Sequence, residues 1–498
     1  MSLGVKVMNF IQPSHYELSI TLSDDFFSEK TNGSDISYSA SLTIHCNIVN
    51  DEDDNYILPS IELDCNSDRI EIFGVSIEKN KNKLKGTLFE QNKKPISTSS
   101  NSSSSKNEQK KKKNDKSCNH NHNNNNSEIS SNKKGLIIKS PIEPFTLGKY
   151  EIKISFKGII VPSKKAMSGL FYSIHSKNSS KIICSHFEAH FAHYAFPCFD
   201  DWTQKATFQL GISNLNSNYK CISNMSVKMK NDSKKTVMFN TSPKMSIYLL
   251  GIFIGQFECL ETSYISKKDE DETEFPISVY YLESGSSLIV DNSKTILEMS
   301  CKILPLLEDY FDQSILKQNI SKLDWIIVPE LIIGGGMENW SCITLLEKHT
   351  ANTSMDMKKL GPFVEILAHE LSHFWVGNLV GFPFHIKEGL AMYLEKIITD
   401  QVLKRANSIT IKKNDKKNNN TSIISEIKSA SNNDANLSVE QMFQKMFTGV
   451  AYTQCFDFIC NECVGTLGPT VFRDRLRQVI SDNEFGFVNE DDFVQSFK

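Results

Sequence analysis

A chain of 498 residues is longer than one hydrophobic core normally serves, so two or three domains are expected. A formal net charge of −4 gives no basic field to attract nucleic acid or an anionic membrane surface, which argues against a nucleic-acid partner. The 12 cysteines are scattered and follow no secretory signal, so they fit free, mostly buried thiols better than a disulfide framework.

Residues 1–14 lack the basic start and apolar stretch of a signal peptide, and Ser2 removes the usual myristoylation signal, so the cytoplasm is the expected location. Short alternating or β-rich runs follow at 16–22, 37–48, 150–156, 206–212 and 244–253. Separated by polar turns, they predict a mostly antiparallel β domain over residues 1–257. The most apolar run, 248–255, falls far short of the roughly 20 residues a membrane-spanning helix needs. It is predicted to be a buried strand, and no membrane span is expected. Inside the β domain, 91–134 is nearly all Asn, Ser and Lys. Such a segment has too few apolar groups to offset its ordering entropy, which predicts a disordered insertion. The lysines at 110–113 read as a solvated charge run, and His120 and His122 have no other ligands spaced around them.

From about Ser284 the pattern turns helical, with apolar residues at helical spacing over 296–311. Helices are further predicted over 361–380, with Pro362 in the first turn, over 389–403, and over 439–467 with a break near Gly465. Residues 404–436 form a loose polar segment. Cys455, Cys460 and Cys463 lack the second cysteine pair of a zinc knuckle and read as small apolar side chains on the last helix. The expected fold class is α+β: an antiparallel β domain over 1–257, then a mainly helical domain over 258–498.

The strongest local signal is His369-Glu370-Leu371-Ser372-His373. Residues four apart share a helical face, so both imidazoles can reach one zinc ion while Glu370 faces a metal-bound water. Two partly buried histidines on an amphipathic helix are the plainer alternative. A catalytic zinc needs a third protein ligand and one open position. Glu388, which would otherwise be favourable first-turn charge on the next helix, is the candidate.

Gly335-Gly336-Met337-Glu338-Asn339-Trp340, followed by the run from His369 through Phe374, Trp375 and Gly377 to Val380, resembles the gluzincin aminopeptidases, the family of aminopeptidase N, puromycin-sensitive aminopeptidase and leukotriene hydrolase. Phe187-Glu188 through Pro197-Cys198-Phe199-Asp200-Asp201, the opening Pro13-Ser14-His15-Tyr16-Glu17-Leu18 and Val450-Ala451-Tyr452 extend the likeness over nearly the whole chain. The resemblance implies an N-terminal β domain followed by a thermolysin-like catalytic domain, with one Zn2+ per chain held by His369, His373 and Glu388. It implies that Glu370 is the general base and that Tyr452 donates a hydrogen bond to the oxyanion. Glu338 and Glu188 would hold the free α-ammonium of a peptide substrate, with His186, Gly335, Gly336, Met337 and Asn339 completing the substrate contacts. Gly335 and Gly336 would let the backbone approach the peptide and pair with it as an added strand.

Three departures accompany the likeness. The interval from Phe374 to Lys387 is four residues shorter than the family's eighteen, and 381–385 replaces a longer aromatic segment. Glu395, two turns beyond Glu388, is the substitute ligand if Glu388 falls short. His186 stands where the family commonly has Gln, and its charge is expected to vary near neutral pH. The sequence stops at Lys498, where family members continue through a β domain and a large helical domain. This implies an incomplete catalytic unit, or a separate chain that supplies the rest. The alternative to an active enzyme is a pseudo-peptidase or peptide-binding fragment with a defective zinc site.

Overall fold

The computed structural model describes residues 10–28, 33–50, 56–91, 135–140, 142, 144–166, 168–175, 179, 181–282, 287–350, 357–404 and 448–497. Residues 92–134 and 405–447 lie outside that set, and with them the expected insertion, its lysines and histidines, nearly all of the loose polar segment and the start of the last predicted helix.

The N-terminal half is built on one twelve-stranded sheet. Its spine is β1 (Ile11–Leu22), β2 (Ile36–Ile48) and β3 (Gly148–Pro162), and β2 pairs antiparallel with both neighbours. Every second residue of β2 from Ile36 to Ile48 is buried, the period-2 pattern of a strand with one face on a core. On one side follow β4 (Gly169–Ile174) and β5 (Lys181–His186); on the other, β6 (Thr207–Ser213) lies against β1. The expectation of a mostly antiparallel domain holds with two exceptions: β1 with β6 and β3 with β4 run parallel. The apolar run at 248–255 is buried throughout, but only its end is strand. A 3-10 turn, Ile247–Leu249, precedes β7 (Ile252–Gly255), which the Ser185 hydroxyl fixes by accepting from the Ile252 N–H at 2.8 Å.

The second half begins with a five-stranded mixed sheet of β8 (Phe257–Ile265), β9 (Glu274–Leu282), β10 (Leu323–Val328), β11 (Gly336–Met337) and β12 (Cys342–Leu346). Sequence periodicity did not separate this sheet from the helices around it. Among the described residues the two-residue β11 is its edge and pairs with β12 alone. Helices then dominate: α1 (Ser287–Phe311), α2 (Met357–Ser372), α3 (Phe384–Val402), α4 (Gly449–Asp457), α5 (Pro469–Asp482) and α6 (Glu490–Ser496). Among the described residues no helix is long and apolar enough to cross a membrane.

Several helix bounds differ from expectation. The helix predicted to run to Val380 ends at Ser372, because Gly377 adopts φ +126° and its N–H turns back to the Val380 carbonyl at 2.7 Å. The turn is clamped by Lys205 Nζ, which donates to the Asn378 and Leu379 carbonyls at 2.8 and 3.0 Å. Pro383 then launches α3 at Phe384, five positions before the expected Gly389. Beyond α4 the chain continues through a π-turn, Phe458–Val464, and runs on without the expected break at Gly465 to stop at Gly468, φ +81°. Cys455, Cys460 and Cys463 are buried along this stretch.

Candidate metal centre and amine pocket

Two helices bring three ligand-type side chains to one point. α2 supplies His369, His373 stands just past its last residue and one turn further on, and α3 supplies Glu388; their ligand atoms all lie within 4.8 Å of one another. His369 Nε2 is 3.3 Å and His373 Nε2 is 3.8 Å from Glu388 Oε2, and the two Nε2 atoms are 3.2 Å apart. The early start of α3 lets Glu388 reach despite the shortened interval. Glu395, two turns further on, does not substitute for it. Its carboxylate instead accepts from His369 Nδ1 at 3.1 Å, as the Val376 carbonyl accepts from His373 Nδ1 at 3.0 Å.

Those acceptors assign the proton of each ring to Nδ1 and leave both Nε2 lone pairs aimed at one carboxylate oxygen. Burial opposes the charge of His369, yet Glu388 and Glu395 raise its pKa well above the ordinary imidazole value, so a cation, whether a proton or a metal ion, is favoured between these groups, and two imidazoles with one carboxylate are a donor set suited to zinc. Burial pulls His373 down to about 4, so the ring is neutral at physiological pH, the form a metal ligand needs. Burial works against the Glu388 charge, yet Lys387, His373 and His369 hold its carboxyl well below the usual range.

One cleft of about 310 Å³ collects His186, Glu188, Gly336, Met337, Glu338, His369, Glu370, His373, Glu388 and Tyr452. Of the site residues read from sequence, Gly335 and Asn339 do not line it. The Gly335 carbonyl accepts from the Leu346 N–H at 3.0 Å, and Asn339 is fully buried beneath β11. Gly336 lies close against Glu370: a Cβ at this position would sit 2.3 Å from Glu370 Oε1. Burial raises the Glu370 carboxyl well above the carboxylate range, with His369 opposing. Tyr452 enters from α4, its ring 5.9 Å from that of Phe384. α4 crosses α3 so closely that a Cβ on Gly389 would meet the Cys455 carbonyl oxygen at 2.4 Å.

Beside the His369, His373 and Glu388 cluster lies a pocket of carboxylates. Glu188, just beyond β5, Glu338, just beyond β11, and Glu388 offer oxygens within 4.8 Å of one another. Sequence reasoning singled out all three but missed the residue between them. Lys387 Nζ donates to Glu188 Oε1, to Glu338 Oε1 at 2.5 Å, and lies 3.0 Å from Glu388 Oε1. Its side chain is 3 % exposed. Burial opposes its charge, yet Glu188 and Glu338 outweigh burial and raise its pKa further. Adjacent Lys and Glu in a first helical turn read as solvated charge, so only the fold reveals this contact. His186 corrects another expectation: burial takes it down to about 4, so its charge does not vary near neutral pH.

Residues 12–249 match the family model described as the peptidase M1 N-terminal domain, and residues 295–498 match that of the peptidase family M1 domain. The chain is 31 % identical to a puromycin-sensitive aminopeptidase of Caenorhabditis elegans over 267 residues, covering 51 % of this chain and 26 % of that protein. It is 28 % identical to aminopeptidase M1 of Arabidopsis thaliana over 267 residues, covering 50 % of this chain and 28 % of that protein. Against aminopeptidase N of Acetobacter pasteurianus it is 29 % identical over 261 residues, covering 50 % of this chain and 68 % of that protein. The match thus spans little more than a quarter of the first two relatives. The two domain models stand in tandem, in the order of the β-rich and helical halves, and account for most of the sequence: the chain belongs to peptidase family M1.

Proposed function

We propose that this chain is a zinc aminopeptidase that removes N-terminal residues from peptides. The observation that carries the reading is the adjacency of two features, the His369, His373 and Glu388 cluster and the Glu188 and Glu338 carboxylates. His369, His373 and Glu388 hold the ion. Bound there, zinc would supply the Lewis acid that acidifies water. Glu370, next to His369 on α2, accepts the proton of the attacking water, and its raised pKa suits a group that must hold that proton before passing it to the leaving amine. Tyr452 donates a hydrogen bond to the oxyanion that develops on the scissile carbonyl.

Glu188 and Glu338 hold the substrate's α-ammonium. That a cation suits this pair is supported by Lys387, whose ammonium already bridges it. Carboxylates at this end of the cleft favour an ammonium over a peptide nitrogen, and so cleavage next to a free N-terminus over cleavage within a chain. The free edge of β11 supports pairing of the substrate backbone with Gly336 and Met337. The described cysteines are free thiols, which suits a reducing compartment such as the cytoplasm and a role in peptide catabolism there.

The test is zinc content of the purified chain by elemental analysis, paired with turnover of fluorogenic aminoacyl amides. One zinc per chain with turnover is expected, and His369→Ala should remove both together. A parent that takes up no zinc would favour a peptide-binding fragment instead. Stoichiometric zinc in His369→Ala would refute this site.

A further inference from the structure

The amine pocket already contains an amine. Lys387 reaches it from α3, one residue before Glu388, and its Nζ meets a carboxylate oxygen of Glu188, of Glu338 and of Glu388. The stem is built into the fold: its Cδ and Cγ lie 3.1 and 3.2 Å from where a Cβ on Gly377 would stand, so the glycine of the α2–α3 turn makes the channel. The Tyr248 ring, 5.0 Å from Nζ, covers the ammonium on its remaining side. This is a fixed cation held by the scaffold behind the cleft, on Glu188 and Glu338 oxygens that the substrate's N-terminus would use.

We propose that Lys387 is a specificity-determining residue that competes, from within the chain, with the α-ammonium of the substrate. The inference rests on the aminopeptidase reading for the identity of the pocket. Its physical content is simple. An entering ammonium must share the Glu188 and Glu338 oxygens with a cation it cannot expel from a buried site, and like charges at such separation repel strongly. A neutral N-terminus, acetylated or otherwise blocked, meets no such repulsion. Lys387 therefore blunts the preference for free over blocked N-termini, and so broadens the peptides the site accepts.

The experiment compares the parent, Lys387→Met and Lys387→Arg by thermal shift with leucinamide and with N-acetyl-leucinamide, alongside kcat/KM for aminoacyl amides and their acetylated forms. Lys387→Met should bind leucinamide about tenfold or more tightly than the parent does, with N-acetyl-leucinamide unchanged, a difference of about 1.4 kcal/mol. Lys387→Arg, which keeps the cation, should behave as the parent. The free-over-blocked ratio in kcat/KM should rise in Lys387→Met through KM. Equal leucinamide affinity in parent and Lys387→Met overturns the proposal, as does an absence of leucinamide binding in all three proteins. If Lys387→Met does not fold, the parent alone decides: a preference for leucinamide over its acetylated form above about tenfold overturns the proposal, and a smaller one supports it. Leucinamide binding needs no turnover, so loss of zinc and activity with the Lys387 effect intact would sink the catalytic reading and leave this one standing.

Discussion

The sharpest single perturbation is Gly389→Ala, because Gly389 sits where the helix of Glu388 crosses the helix of Tyr452. An added Cβ would lie 2.4 Å from the Cys455 carbonyl oxygen, 2.9 Å from its carbon and 2.8 Å from Ile459 Cγ1. Two of those atoms are backbone and cannot rotate aside. Since real Cβ contacts essentially never fall below 3.0 Å, the helices must part by at least about 0.6 Å. Overpacking of this kind costs about 1–3 kcal/mol of stability. α3 is held by α2 and α1, so α4 is the element that yields, and Tyr452, one turn from Cys455, moves with it. Removing a donor to an oxyanion outright costs about 10²–10³ in kcat, so a partial displacement should cost about 10–100-fold. The assay is kcat on an aminoacyl amide, with zinc by elemental analysis and thermal unfolding on the same protein. Turnover should fall and zinc should stay. Unchanged kcat and stability would refute the close crossing; lost zinc would refute the claim that α4 rather than α3 gives way.

Glu395→Ala should weaken zinc binding about 10–100-fold by releasing His369 Nδ1, and unchanged affinity in a chelator titration would remove Glu395 from any orienting role. Glu370→Gln should keep zinc while slowing turnover by about 10²–10⁴-fold, and a variant with parental kcat would exclude Glu370 as the base. Lys205, whose pKa burial lowers to about 7 against 10.5 when exposed, sets a pH dependence of stability. Between those two values the unfolded chain binds a proton that the native chain lacks, so native stability rises with pH by about 1.4 kcal/mol per unit. That gain is complete above the unfolded value and lost as pH falls to about 7. Denaturant unfolding of parent and Lys205→Met from neutral to alkaline pH should show curves that diverge by this slope; parallel curves would contradict it.

What the sequence made legible was whatever is local. The helical spacing of His369 and His373 and the apolar stripe placed the helix that carries His369, although it starts at Met357 and so takes Pro362 into its interior, and alternation in β2 placed the sheet's core strand. The end of α2 was not legible, because Phe374, Trp375, Val376, Leu379 and Val380 remain apolar and buried while the backbone has already turned. Gly377, with its positive φ, was the signal present in that run. Glu395 was assigned to the right helical face, but whether a carboxylate on that face binds metal or the back of an imidazole depends on reach, which periodicity does not encode. Lys387 was invisible for a different reason. Its burial is created by Glu188, Tyr248 and Glu338, residues from three distant stretches that no window around α3 contains.

The mix of near and far partners orders the events by which the site comes into being. His369 and Glu388 are nineteen positions apart on consecutive helices, so the metal cluster can gather as soon as that hairpin packs. The contact between Lys387 and Glu188 instead closes a separation of 199 residues. Closing a loop of that length costs about 5 kcal/mol of chain entropy before any contact is made, about 2 kcal/mol more than closing the nineteen-residue one. During refolding the ability to take up metal should therefore return ahead of the ability to read an N-terminus, and a half-assembled chain would be metal-competent yet indifferent to what its substrate carries at the end.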